Sequence, residues 1–187
     1  MNNSNFKEIL KIGLTLFAIT AVSATFLATV NKFTAPIITK NQTKKTYSSM
    51  QKVIPEAKEF QTIDITDTEK ISQAYFALNE IGEKIGVCII STANGYGGEI
   101  TVLTGIVSGE IRGVDILSHS ETPGLGAKAA NPEFKEQFTG KTYGILLVKS
   151  GASQNEINAI SGATISSTAV TNAVTTALEF SAEVLKQ

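Results

Sequence analysis

The chain has 187 residues, a formal net charge of -1 and 42% hydrophobic residues, enough for one domain with a real core plus an appendage but not for two full domains. No long basic run with interleaved aromatics occurs, so the electrostatic footprint of a nucleic-acid binder is missing. Cys88 is the only cysteine, which excludes an intrachain disulfide and a cysteine metal cage.

Lys7 and Lys11 precede an uncharged stretch from Ile12 to Val30, close to the ~20 residues needed to cross a bilayer core. It predicts a transmembrane helix. The rival reading is a cleavable signal peptide, because Val22-Ser23-Ala24 resembles a small-residue cleavage site. Apolar residues continue past that site and favour an anchor. Lys32, Lys40, Lys44 and Lys45 follow the span, so a count of flanking lysines places the C-terminal part in the cytoplasm. After a polar stretch through Pro36, the segment Ile37 to Pro55 reads as a juxtamembrane helix with apolar Tyr47, Met50, Val53 and Ile54.

Short β-rich runs come next: Gln73 to Ile81, Lys84 to Thr92, Glu99 to Val107, Glu110 to Leu117 and Tyr143 to Val148. Gly82-Glu83 suits a two-residue hairpin turn, Asn94-Gly95-Tyr96-Gly97-Gly98 a wider one and Gly109 a tight one, so consecutive antiparallel strands are the economical reading. Cys88, between Val87 and Ile89, takes a buried strand position. Helices are predicted over Pro132 to Phe138 and Ser166 to Lys186, the second with an apolar stripe of Ala169, Val170, Ala173, Val174, Ala177, Leu178, Val184 and Leu185. The sum is a compact α+β domain on a membrane stalk.

Three runs stand out as sites. Ser161-Gly162-Ala163-Thr164 lies just before the last helix, for which Ser166 or Ser167 can act as N-cap. An anion near Thr164 would meet the unpaired N–H groups and the positive end of that helix. The loop His119-Ser120-Glu121-Thr122-Pro123-Gly124-Leu125-Gly126-Ala127-Lys128 can bring backbone N–H groups against a flat or anionic ligand. Gly95-Tyr96-Gly97-Gly98 combines a flat side chain with exposed backbone. Each run alone also fits an ordinary cap or turn. The single histidine, His119, has no assignable partner for acid–base work, and the chain shows no metal-ligand spacing, no phosphate loop and no dinucleotide fingerprint.

In this order, the N-terminal span, Thr34-Ala35-Pro36, Gly95-Tyr96-Gly97-Gly98, Glu121-Thr122-Pro123-Gly124-Leu125-Gly126 and Ser161-Gly162-Ala163-Thr164 together resemble the G subunit of Rnf-type electron transport complexes. The related C subunit of sodium-translocating NADH:quinone reductases is the nearest alternative and is usually longer. The resemblance implies a tail over 1–11, a span over 12–30, a juxtamembrane helical linker over 31–72, and an FMN-binding domain over 73–187 with an antiparallel sheet flanked by helices.

It further implies FMN joined through its phosphate to the Thr164 hydroxyl by a separate flavin transferase. Ser161, Gly162, Ala163 and Ser166 would frame the attachment. Glu121, Thr122, Gly124, Leu125, Gly126 and Lys128 would shape the ring pocket, with Tyr96 and Gly97 as a flanking loop. No catalytic residue and no metal are expected. The protein would be a membrane-anchored electron carrier among other membrane and redox subunits of an ion-translocating ferredoxin:NAD oxidoreductase, without turnover alone. Its bilayer would be the bacterial or archaeal cytoplasmic membrane, crossed once, with the FMN domain on the extracytoplasmic side, against the lysine count. A non-redox extracytoplasmic ligand-binding module and a purely structural assembly device are the other classes the residues allow. Three positions before Ser161, where the family commonly has an acidic residue, this chain has Asn158.

Overall fold

A computed structural model describes residues 3–65 and 69–184, with side chains from Lys7 onward. The end of the predicted last helix, 185–186, lies outside these residues. The chain forms two compact units, 1–44 and 45–187.

Helix α1, Asn3–Val53, is continuous. Among the described residues it is the one helix long and apolar enough to cross a bilayer. Within the span, the hydroxyls of Thr15, Thr20, Thr25 and Thr29 donate to carbonyls one turn back, so these polar groups need no water. The stretch through Pro36, expected as a polar segment ahead of a separate juxtamembrane helix, is itself helical, and Pro36 lies inside α1. Proline there removes only the bond to the carbonyl of Lys32, and long helical flanks on both sides hold the geometry.

In the second unit, five strands form an antiparallel meander in chain order: β1 Glu59–Ile63, β2 Ile71–Leu78, β3 Lys84–Asn94, β4 Glu99–Val107 and β5 Glu110–Ser118. β3 is covered on both faces, which explains its unbroken apolar run. Val87 and Ile89 join the cluster under the last helix, whereas Cys88 and Ile90 join one built on Met50, Val53, Ile54 and Ala57. Val53 sits over a cross-strand pair, Gly105 opposite Gly113, where added side-chain carbons would meet it at 2.9 and 3.2 Å. The last turn of α1 therefore packs flush on that face. Asp115 holds the same layer: its carboxylate accepts the Ser49 hydroxyl at 2.7 Å and pairs with Lys135 at 2.6 Å.

β1 carries too few apolar residues to show in the sequence. Five residues join β2 to β3, not two: the Asn79 side chain accepts the N–H groups of Ile81 and Glu83 and closes the turn. After β5 comes a 3-10 turn (Gly126–Ala130); the predicted Pro132 to Phe138 helix is then divided between helix α2 (Pro132–Lys135) and a second 3-10 turn (Glu136–Phe138). The predicted strand from Tyr143 shortens to β6, Leu146–Val148, and pairs in parallel with β7, Glu156–Asn158, in a separate two-stranded sheet. Helix α3, Thr164–Val184, lays Ala169, Val170, Ala173, Val174, Ala177 and Leu178 on the other sheet face. Each large apolar side chain buried there contributes about 1.5–3 kcal/mol.

Candidate functional site

Helix α3 starts two residues before the predicted caps. The Ser167 N–H donates to the Ala163 carbonyl, the first α-helical bond, so Thr164 is the first helical residue and Ser166 and Ser167 lie within the first turn. The Ser167 hydroxyl instead accepts the Ile160 N–H and donates back to the Ala163 carbonyl, fixing the approach to the helix. Gly162 makes the turn into it with φ +75, a conformation that disfavours other residues.

Farther along α3 the hydroxyls of Thr168, Thr171 and Thr175 donate to the carbonyl one turn back. For Thr164 that carbonyl belongs to Ile160 and already accepts the Ala163 N–H. Among the described residues the exposed Thr164 hydroxyl has no hydrogen-bond partner. The N–H groups of Thr164, Ile165 and Ser166 likewise have no acceptor within the helix.

A cavity of about 650 Å³ opens beside Thr164, lined by Tyr96, Glu121, Thr122, Leu125, Gly126, Gly162, Ala163, Ile165 and Ser166. Its volume suits an organic cofactor, and Tyr96, Leu125 and Ile165 present exposed apolar surface around it. Three runs far apart in sequence thus meet at one place. Of the other residues singled out from the sequence, Ser161, Gly97, Gly124 and Lys128 do not line the cavity; Gly97 is joined to it through Glu121, and Lys128 is exposed on the 3-10 turn.

Glu121 is the tie. It is 5% exposed; Oε1 accepts the Gly97 N–H at 2.9 Å and Oε2 accepts the Ser166 hydroxyl at 2.5 Å. The Glu121 N–H donates to His119 Nδ1 at 3.2 Å. Burial opposes ionisation of the carboxyl, but the bonds from Ser166 and Gly97 outweigh it and hold it below the usual carboxylate range. A side-chain carbon at Gly126 would collide with the Glu121 carboxylate and the Ser166 hydroxyl, and one at Gly97 with the Ser120 carbonyl. The close approach of the three segments requires glycine at both.

A second cavity of about 620 Å³ shares Thr164 and Ile165, and Glu69, Lys70, Thr92, Asn94, Glu99, Thr168, Asn172 and Thr176 are among the residues in its wall. Thr164 stands on the ridge between the two. The sequence reading missed Ile165 and this whole cleft, although Thr164, Thr168, Asn172 and Thr176 recur every four residues, the spacing of one helix face. No group of three or more potential metal ligands exists among the described residues.

Residues 95–179 match the FMN-binding domain family, and residues 1–53 match the RnfG N-terminal region. The G subunit of the Na(+)-translocating ferredoxin:NAD(+) oxidoreductase complex from Acetobacterium woodii is 37% identical, over 94% of this chain and 92% of its own length. The G subunit of the ion-translocating oxidoreductase complex from Methanosarcina acetivorans is 33% identical, over 95% of this chain and 96% of its own. Among solved structures, NqrC of Shewanella oneidensis superposes with a TM-score of 0.52 at 19% identity, over 67% of each chain, a likeness of fold. The chain belongs to the G-subunit family of Rnf-type ion-translocating oxidoreductase complexes.

Proposed function

We propose that this chain is a membrane-anchored flavoprotein subunit that carries FMN as a phosphoester on Thr164 Oγ1 and relays electrons within an Rnf-type complex. The observation that supports it most is the unengaged Thr164 hydroxyl on the first residue of α3, at the mouth of the 650 Å³ cavity. A phosphoester on that oxygen keeps a negative charge next to the free first-turn N–H groups, a placement worth about 0.3–1 kcal/mol at an exposed helix end.

FMN supplies reversible uptake and release of electrons when bound. The chain's own residues do the rest. Tyr96, Leu125 and Ile165 give apolar contact to a flat ring, while Gly162 and Ala163 leave room for the chain that links ring to phosphate. Thr122 lines the same wall, and Ser161, Gly124 and Lys128 shape the turns behind it. The α1 span anchors the chain in the membrane with a single pass, and covalent attachment prevents loss of the carrier between turnovers. In this reading a flavin transferase installs the group, other redox subunits of the complex donate and accept the electrons, and the flavin domain lies on the extracytoplasmic side.

Full-length protein co-expressed with a flavin transferase is expected to fluoresce on a denaturing gel, and Thr164→Ala protein to be dark. Fluorescence in both, or in neither, sinks the attachment.

A further inference from the structure

We propose that Glu121 is a potential-setting residue: its buried, doubly held carboxylate faces the flavin cavity and lowers the midpoint potential of the ring seated there. This rests on the attachment to Thr164 proposed above.

Two observations carry it. Glu121 is the only residue lining the cavity that bears a full charge; the other titratable one, Tyr96, is a phenol. No lysine, arginine or histidine in that wall offsets it among the described residues. Secondly, the charge is fixed: 5% exposed, it is gripped at Oε1 by the Gly97 N–H and at Oε2 by the Ser166 hydroxyl. Solvent screens a charge so placed far less than one on the surface.

The sign follows from electrostatics. Electrons entering the ring bring negative charge toward a fixed negative charge, so reduction is disfavoured unless protons accompany the electrons. The other charged or titratable groups on the surrounding segments are His119 on the same strand end, Tyr96 and Glu99 on the β3–β4 hairpin, and Lys128 on the 3-10 turn. The first two turns of α3 contribute none. His119 Nδ1 accepts the Glu121 N–H and so leaves the carboxylate charge unpaired on that side.

Glu121→Gln tests the charge while keeping the shape. A Gln carbonyl can still accept from Gly97, and its amide can donate to the Ser166 oxygen. The experiment is a spectroelectrochemical titration of full-length flavinylated protein in detergent, for wild type, Glu121→Gln and Ser166→Ala, at neutral pH and through the acid range. The Gln variant is expected to have a more positive potential at pH 7. Wild type should approach it only on acidification, as Glu121 takes up a proton. Ser166→Ala removes one bond that favours the ionised form and should approach it at higher pH than wild type. A merely structural role would leave the gap unchanged by acid. Equal potentials at pH 7, a more negative Gln variant, or a gap that persists through acidification each overturns the proposal. If Glu121→Gln does not accumulate, the acid shift between wild type and Ser166→Ala decides alone. Absence of covalent flavin from wild type is a separate result, and it refutes the attachment rather than the role of Glu121.

Discussion

The Ser166 hydroxyl donates to Glu121 Oε2 at 2.5 Å across 45 residues of sequence, joining the first turn of α3 to the loop after β5. Because Glu121 Oε1 takes the Gly97 N–H, a single carboxylate fastens all three segments around the cavity. The seat is therefore built by polar bonds beneath it, while the surface open to a ligand is largely apolar.

That fastening predicts how the seat fails. In Ser166→Ala the carboxylate loses one donor in a buried setting, a change of about 1.5–3 kcal/mol for a bond to a charged group. Gly126→Ala forces a carbon onto the same two side chains and should cost about 1–3 kcal/mol through displacement. Chemical denaturation in detergent measures both. If Gly126→Ala is as stable as wild type, the close approach described at Gly126 is wrong.

A second carboxylate sets the acid limit of the helix-docking layer. Burial opposes ionisation of Asp115, but bonds from Lys135 and Ser49, the Lys135 charge and a backbone bond prevail and hold its carboxyl below the usual aspartate range. Its contribution is full above the unfolded pKa and is lost as pH falls through the lower folded value. Stability should thus decline below about pH 4, and Asp115→Asn should be less stable at pH 7 but flatter through that decline. An Asn variant with the wild-type acid profile would remove Asp115 from the account.

How far the sequence discloses all this depends on the kind of signal. The span, strands β2 to β5 and the stripe of α3 rest on runs or periods of apolar residues, and these survive in the structure. β7 is three residues long and β1 five, too short for a period to show. The start of α3 lies ahead of the place the sequence points to because Ser166 and Ser167 have the chemistry of caps, yet both hydroxyls are drawn into tertiary bonds, to Glu121 and to the chain around Ile160. Glu121 is visible in the sequence as a loop carboxylate; that it faces inward and binds Gly97 is a property of the folded chain alone.

Cys88 should be chemically silent. It is fully buried in β3, and burial pushes its thiol up to about 12, so almost no thiolate exists at neutral pH. A thiol reagent at pH 8 is expected to label it only after denaturant is added. Rapid labelling of the native chain would show that the sheet opens under native conditions.

The Thr104 hydroxyl is the one buried side-chain polar atom without a partner among the described residues. It lies on β4, wholly enclosed. Valine has nearly the same shape and no polar group to satisfy, so Thr104→Val should raise stability by about 1 kcal/mol, within the ~1–3 kcal/mol range for an unmet buried group. A destabilised variant would mean that a buried water serves the hydroxyl.

Asn158, at the position where the resemblance implies an acid, has a definite task in the structure. Its Oδ1 accepts the Ala152 N–H at 3.0 Å, while its backbone N–H donates to the Gln137 side chain at 2.8 Å. Both bonds need only an acceptor oxygen and a backbone, which aspartate supplies equally well. Asn158→Asp should therefore fold with stability within about 0.5 kcal/mol of wild type, because the change adds charge at a half-buried position without removing a bond. If a flavin transferase reads the acid, the variant should gain flavin faster than wild type when both are sampled early after induction and scored by in-gel fluorescence against total protein. Equal rates would mean that the acceptor at this position, and not its charge, holds the approach to Thr164 in shape.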